Sequence, residues 1–268
     1  MKKNIIIFGV GILILGIAAF GIFDQNVSNT DQAMKSSTDV VAEEQPIADN
    51  TSESKEVVFV HKVGPRFNSI TKSELIKATD FRFFIGDAHA DKIVSYSRLD
   101  VILLEDSEQT NIREKGTGGD LTPDQIKFLK SVDYSTNLLV YADYVEKNKA
   151  TGEMYETHWT PYLTVVPEKQ AAYVDFSESF IDYLKVNINS ATAMLPDDQI
   201  KPGLLYFTVS KNGTISNTRI QNSSGFESLD EKMIELIEKA PGNWVPAENA
   251  KGEKVDQELT VSFGKLGC

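Results

Sequence analysis

Apolar and polar positions change rhythm several times along this chain. An uncharged apolar run, Ile5 to Phe23, is followed by a polar, acidic stretch from Asp24 to Glu56 that has no aromatic residue. Folded-type patterning begins at VVFV (57 to 60). ITKSELIKA predicts a short helix, with Thr71 and Glu74 at capping-box spacing. FRFFI (81 to 85) and SRLDVILL (97 to 104) read as strands, the second placing Leu99, Val101 and Leu103 on one face. GTGGD predicts a turn, and LTPDQIKFLKSV a second short helix with Thr122 as cap and Pro123 at its first position. NLLVYADYV (137 to 145) and YETHWTPYLTVV (155 to 166) predict two antiparallel strands joined by KNKATGEM. Many strands with two helical turns point to a β-sandwich-like domain over residues 57–168.

From there the period lengthens. SESFIDYLKVNINSA repeats Phe180, Leu184 and Ile188 every fourth position, one face of a helix. LLYFTVSKNGTISNTRIQ carries Leu205, Phe207 and Val209 on one side and a hairpin signal at Asn212-Gly213, where both residues are expected at positive φ. After NSSG, with Gly225 expected left-handed, Ser228 and Glu231 have capping-box spacing before a helix that points Leu229, Met233 and Leu236 or Ile237 inward. Pro241-Gly242 ends that helix, and Trp244, held next to Pro246, reads as core. QELTVSF alternates Leu259, Val261 and Phe263. Residues 174–265 thus predict a three-stranded antiparallel sheet with two helices, and the whole chain an α+β class.

The apolar run spans a bilayer if it forms a helix, which takes ~20 residues. With Lys2 and Lys3 before it and Asp24 after it, residues 1–23 read as a cytoplasmic start and transmembrane anchor, placing the bulk of the chain in the periplasm. A cleaved signal peptide is the alternative, since GIAAFG offers small residues near a possible cut. Residues 24–56 bury too little surface to offset ordering entropy and read as a disordered tether with a reach on the order of 30 Å.

Charge narrows the partners. With 27 Lys and Arg against 39 Asp and Glu, the formal net charge of −12 repels a phosphate backbone and excludes nucleic acid. The one cysteine, Cys268, allows no internal disulfide and no cysteine-based zinc cluster.

Candidate chemistry is sparse. Three histidines exist, His61, His89 and His158. Asp87, His89 and Asp91 would share one face of an extended chain, as metal ligands do, but a solvated loop explains them as well. GTGGD lacks the lysine of a phosphate-binding loop. Ser223 and Ser224 lack the G-x-S-x-G setting of a nucleophile and read as satisfying backbone at a strand end. No catalytic residue, metal or cofactor is expected, and the chain is not read as an enzyme.

Residues about 176 to 263 resemble the TonB carboxy-terminal domain, through the FTVSKNGTIS hairpin, SSGFESLDE, NWVPA, the KGEKV turn and the final alternating strand. The resemblance implies an energy transducer, anchored in the inner membrane, that supports transport. Such a domain grips outer-membrane TonB-dependent receptors by adding their extended segment to its sheet edge. On that precedent the docking residues are Gln257, Glu258, Leu259, Thr260, Val261, Ser262 and Phe263, with Asn212, Gly213, Gly225, Trp244 and Pro246 structural. Family anchors carry a Ser and a His that work with proton-channel motor subunits; Ile5 to Phe23 has neither, and the tether holds only Pro46. A passive interaction or sensing module without proton coupling is therefore the alternative. GPRFNSITKSELIKA and GGDLTPDQ further resemble β-rich domains of gliding-motility and type IX secretion shaft proteins, which implies a Bacteroidetes-type source.

Overall fold

The computed structural model describes residues 60–174 and 179–265. The expected anchor, tether and Cys268 lie outside them. The elements run β1 (Val60–Gly64), β2 (Asn68–Thr71), α1 (Lys72–Leu75), α2 (Arg82–Ile85), α3 (Asp87–Ala90), β3 (Ile93–Glu105), β4 (Glu108–Gly116), α4 (Pro123–Ser131), β5 (Asn137–Lys147), β6 (Met154–Trp159) and β7 (Tyr162–Val166). They continue with β8 (Ala172–Val174), α5 (Phe180–Thr192), β9 (Gly203–Val209), β10 (Ile215–Asn222), α6 (Glu227–Glu238), β11 (Asn243–Val245), β12 (Ala247–Glu248), β13 (Lys254–Val255) and β14 (Gln257–Phe263). Both principal sheets belong to one compact unit.

Six strands make the first sheet, in the order β2-β7-β5-β3-β4, with β6 also on β5. Period two decides its faces. Leu99 and Val101 of β3 join Leu138, Val140, Ala142 and Tyr144 of β5 in a core closed by Leu75 of α1, Phe81 and Leu129 of α4. Ile102, Leu104 and Leu139 point the other way and pack with Phe67 and Tyr141. The region is therefore a single sheet backed by short helices, not the two packed sheets of a sandwich, because α1, α4 and their flanking turns already cover its apolar face. FRFFI is helical rather than extended: the Asp80 carboxylate accepts the Phe83 N–H at 3.0 Å and starts a turn that buries Phe81. Both expected caps are present at Thr71 and Thr122. The single strand expected at 155 to 166 is two, β6 and β7, successive on one edge of β5. Pro161, which has no N–H to give the ladder, separates them.

The second sheet is antiparallel, in the order β1-β14-β9-β10, with Phe180, Leu184 and Ile188 of α5 and Leu229, Met233 and Ile237 of α6 packed into its core. It has four strands, one more than expected. The extra strand is β1, which the sequence pattern had assigned to the preceding domain. Ser228 and Glu231 do not cap α6 but lie inside it, since it starts at Glu227, two residues before the start that a Ser228 cap predicts. Asp230 takes up the junction instead, accepting from Ser223 Oγ at 2.5 Å and from the Ser224 N–H at 3.0 Å. Gly225 sits at φ +90.

The hairpin between β9 and β10 is longer than a two-residue turn. Gly213 N–H donates to Ser210 O and Ser210 N–H to Thr214 O, both at 2.8 Å, so only Gly213, at φ +79, is left-handed and Asn212 is not. A Cβ on Gly213 would stand 2.5 Å from the Trp244 carbonyl oxygen, so this glycine answers both to φ and to a close approach. We expect Gly213→Ala to lower unfolding free energy by about 1–3 kcal/mol. Gly152→Ala, at φ +77 with open space around it, should lose less in the same denaturant titration.

Candidate functional site: the outer edge of the last strand

β14 alternates as its sequence predicts. Leu259, Val261 and Phe263 enter the core, while Glu258, Thr260 and Ser262 face the opposite side. On that side Arg219 Nη1 donates to Glu258 Oε2 at 2.6 Å, its guanidinium lying 4.5 Å over the Tyr206 ring. Gln257, buried at the start of the strand, fastens the incoming segment by accepting the Ala171 N–H at 2.7 Å and donating to Gln170 Oε1 at 3.2 Å.

One flank of β14 pairs with β9 in continuous register, from Gln257 opposite Val209 to Phe263 opposite Gly203. The other flank was expected to be free, and it is not. β1 lies along it, with Val60 opposite Phe263, Lys62 opposite Ser262, Val63 opposite Val261 and Gly64 opposite Thr260. Thr260 Oγ1 adds a bond to Gly64 O at 2.9 Å, and His61 Nε2 donates to Gly264 O at 2.6 Å. Ahead of β1's reach, the Glu258 N–H donates outward to Ser135 Oγ at 2.8 Å. Since N–H groups alternate sides along a strand, those of Thr260 and Ser262 also turn outward, toward β1. The expected docking edge is thus closed along most of its length by the chain's own backbone and one hydroxyl. The physical reason is the cost of an unpaired edge, which VHKVG relieves by supplying backbone partners to residues 260 to 263.

Neither contributor was singled out from sequence. Val60 is fully buried in the core of the second sheet, a role the apolar start of VVFV hinted at without naming a partner. Ser135 precedes β5 with φ +65, uncommon for a residue with a side chain, and nothing in its sequence neighbourhood marks it. Beside Ser262, partial desolvation and then the Arg66 guanidinium hold the ammonium of the otherwise exposed Lys62 below its usual range.

Of the structural residues, Asn212, Gly213, Trp244 and Pro246 gather at the hairpin end of the sheet, while Gly225 lies at the other end, beside Gln199 and Lys201. Trp244 is buried against Tyr173, Phe180 and Phe207, with ring centroids 5.6, 5.0 and 5.5 Å away, and its carbonyl and Pro246 border Gly213. Asn212 caps nothing in the core; its N–H donates to Ser210 Oγ at 3.3 Å.

The other candidates are drawn apart. Asp87, His89 and Asp91 lie on or beside α3 instead of an extended loop. Arg82 Nη1 reaches Asp87 Oδ1 at 3.1 Å and Asp91 Oδ1 at 2.7 Å, whereas His89 Nε2 meets Tyr144 Oη at 2.9 Å. In GTGGD, Gly119 packs so closely on Tyr96 that a Cβ would stand 2.6 Å from the ring, a packing role in a turn. Ser223 and Ser224 accept the N–H groups of Gly225 and Phe226 at 3.0 and 3.3 Å. Among the described residues no group of three or more His, Cys, Asp or Glu is placed to hold a metal ion.

Removing the Ser135 hydroxyl leaves the Glu258 N–H without its partner, and Ser135→Ala should cost about 1 kcal/mol in a urea titration. Ser135→Gly should cost less, because it relieves the left-handed backbone while losing the same bond.

In comparison with known proteins, residues 204–264 match the family described as Gram-negative bacterial TonB protein C-terminal. No curated protein and no solved structure matches the chain.

Proposed function

We propose, from the match of residues 204–264 to the TonB C-terminal family, which supports a TonB family protein, that the chain is an adaptor that docks an extended segment of an outer-membrane receptor by strand addition. In this reading Ile5 to Phe23 holds it in the inner membrane, residues 24–56 set its reach, and the folded part stands in the periplasm. Residues 257 to 263 receive the receptor segment. What carries the reading is the sheet itself: β14 already binds a short, sequence-remote strand through its outward backbone groups, so that edge is competent for strand addition. Backbone groups supply most of such an interaction, which makes proline a harsher substitution than any side-chain change. No catalytic role is assigned.

A second reading, a passive interaction or sensing module, draws on the anchor run. Without a Ser or a His there, proton-channel motor subunits lose the residues they use in the family. Docking is common to both readings; energy coupling separates them.

A photo-crosslinking residue at Ser262, in living cells, is expected to capture an outer-membrane protein. Thr260→Pro, which deletes an outward N–H, should lower the yield by about tenfold, roughly the worth of one hydrogen bond. No outer-membrane partner, or a yield unchanged by a folded Thr260→Pro chain, contradicts docking at this edge.

A further inference from the structure

We propose that β1 is a resident guest, and that an extended segment of another polypeptide takes its place on β14 by exchange. This rests on the adaptor reading and adds a demand to it: the chain must open its own sheet before it docks.

Four observations point to exchange. β1 is short, five residues against the seven of β9 and β14, and its pairing slips between Val60 and Lys62. Only Val60 is fully buried; Lys62 is exposed and Val63 and Gly64 are partly so. Its outgoing connection leaves the sheet at once, since Pro65, Arg66 and Phe67 lead directly into β2 of the six-stranded sheet. The β14-β9-β10 ladder is made without β1, whose single anchor in the core is Val60. Finally, the opposite edge is poorly suited to receive a strand: β10 is bulged between Ser216 and Arg219 and between Ile220 and Asn222, with Asn217 at φ +53. Bulges of this kind twist an edge away from flat pairing.

The place β1 holds also specifies what fits it. A guest needs a compact β-branched or aliphatic residue where Val60 enters the core. It needs a second, partly covered apolar residue at the position of Val63. Beyond that comes a small residue whose carbonyl accepts the Thr260 hydroxyl, as Gly64 does. The position of Lys62 faces solvent and is permissive. Ser135 must also give up the Glu258 N–H if the guest runs the whole length of β14, so the six-stranded region is part of the gate and not a spacer alone.

Exchange is measurable with a fluorescein-labelled peptide VVFVHKVG, residues 57 to 64, added to the full chain in a Cys268→Ser background. Lys62→Cys with Ser262→Cys joins a directly paired couple and locks β1 when oxidised. Lys62→Pro removes a β1 donor and loosens it without touching β14. Affinity scales with the fraction of chains whose edge is open, so Lys62→Pro should bind about tenfold tighter than the parent, and the oxidised pair about tenfold weaker than the reduced pair. Equal affinity in every form places docking elsewhere and overturns exchange, while leaving the adaptor reading to the Ser262 crosslink. Absence of binding to the reduced pair and to Lys62→Pro overturns exchange as well. A Lys62→Pro chain that becomes dimeric and excludes the peptide assigns the place to a second copy, against a foreign segment. Should Lys62→Pro not fold, the oxidised and reduced forms decide alone.

Discussion

Everything in the C-terminal half depends on one constraint: the outward N–H groups of β14 must find acceptors. A strand with partners on a single side exposes a row of polar backbone groups, which water satisfies at the surface but which also recruits any extended segment that comes near. Here Thr260 and Ser262 face β1 and Glu258 meets the Ser135 hydroxyl. Two remote pieces of chain, one before the six-stranded sheet and one inside it, are thereby tied to the last strand. The two sheets become one unit through these contacts and through the clamp of Gln257 on residues 170 and 171.

At the other end of the sheet the constraint is steric. Gly213, Trp244 and Pro246 crowd one corner, where aromatic rings of Tyr173, Phe180 and Phe207 surround the indole. The corner fixes how the β9-β10 hairpin meets α5, and so holds β9 in place as the template on which β14 lies. Crowding there and short pairing at β1 give the sheet one firmly packed end and one lightly held edge.

Period and capping made much of this legible. Leu259, Val261 and Phe263, Leu99 and Val101, and the caps Thr71 and Thr122 are all local patterns, and each stands where its spacing puts it. What was not legible is pairing over long distances. Nothing in VHKVG distinguishes a strand that joins its neighbour from one that crosses about two hundred positions to meet Phe263. Ser135 was invisible for the same reason, because its role lies in where the fold carries it. FRFFI misled because aromatic content favours a strand, while the Asp80 cap and the burial of Phe81 favour a turn of helix. Ser228 misled because Asp230, only two residues on, bonds both preceding serines and draws the helix start forward.

Amide hydrogen exchange resolved to single residues of β14 tests the central claim most directly. Closure by β1 predicts that Thr260 and Ser262, whose N–H groups face outward, are protected well above the open edge of β10, though less than Leu259 and Val261, which face β9. Exchange at Thr260 and Ser262 as fast as at the open edge of β10 would mean that the flank is free in solution, and the account of a resident strand would be wrong.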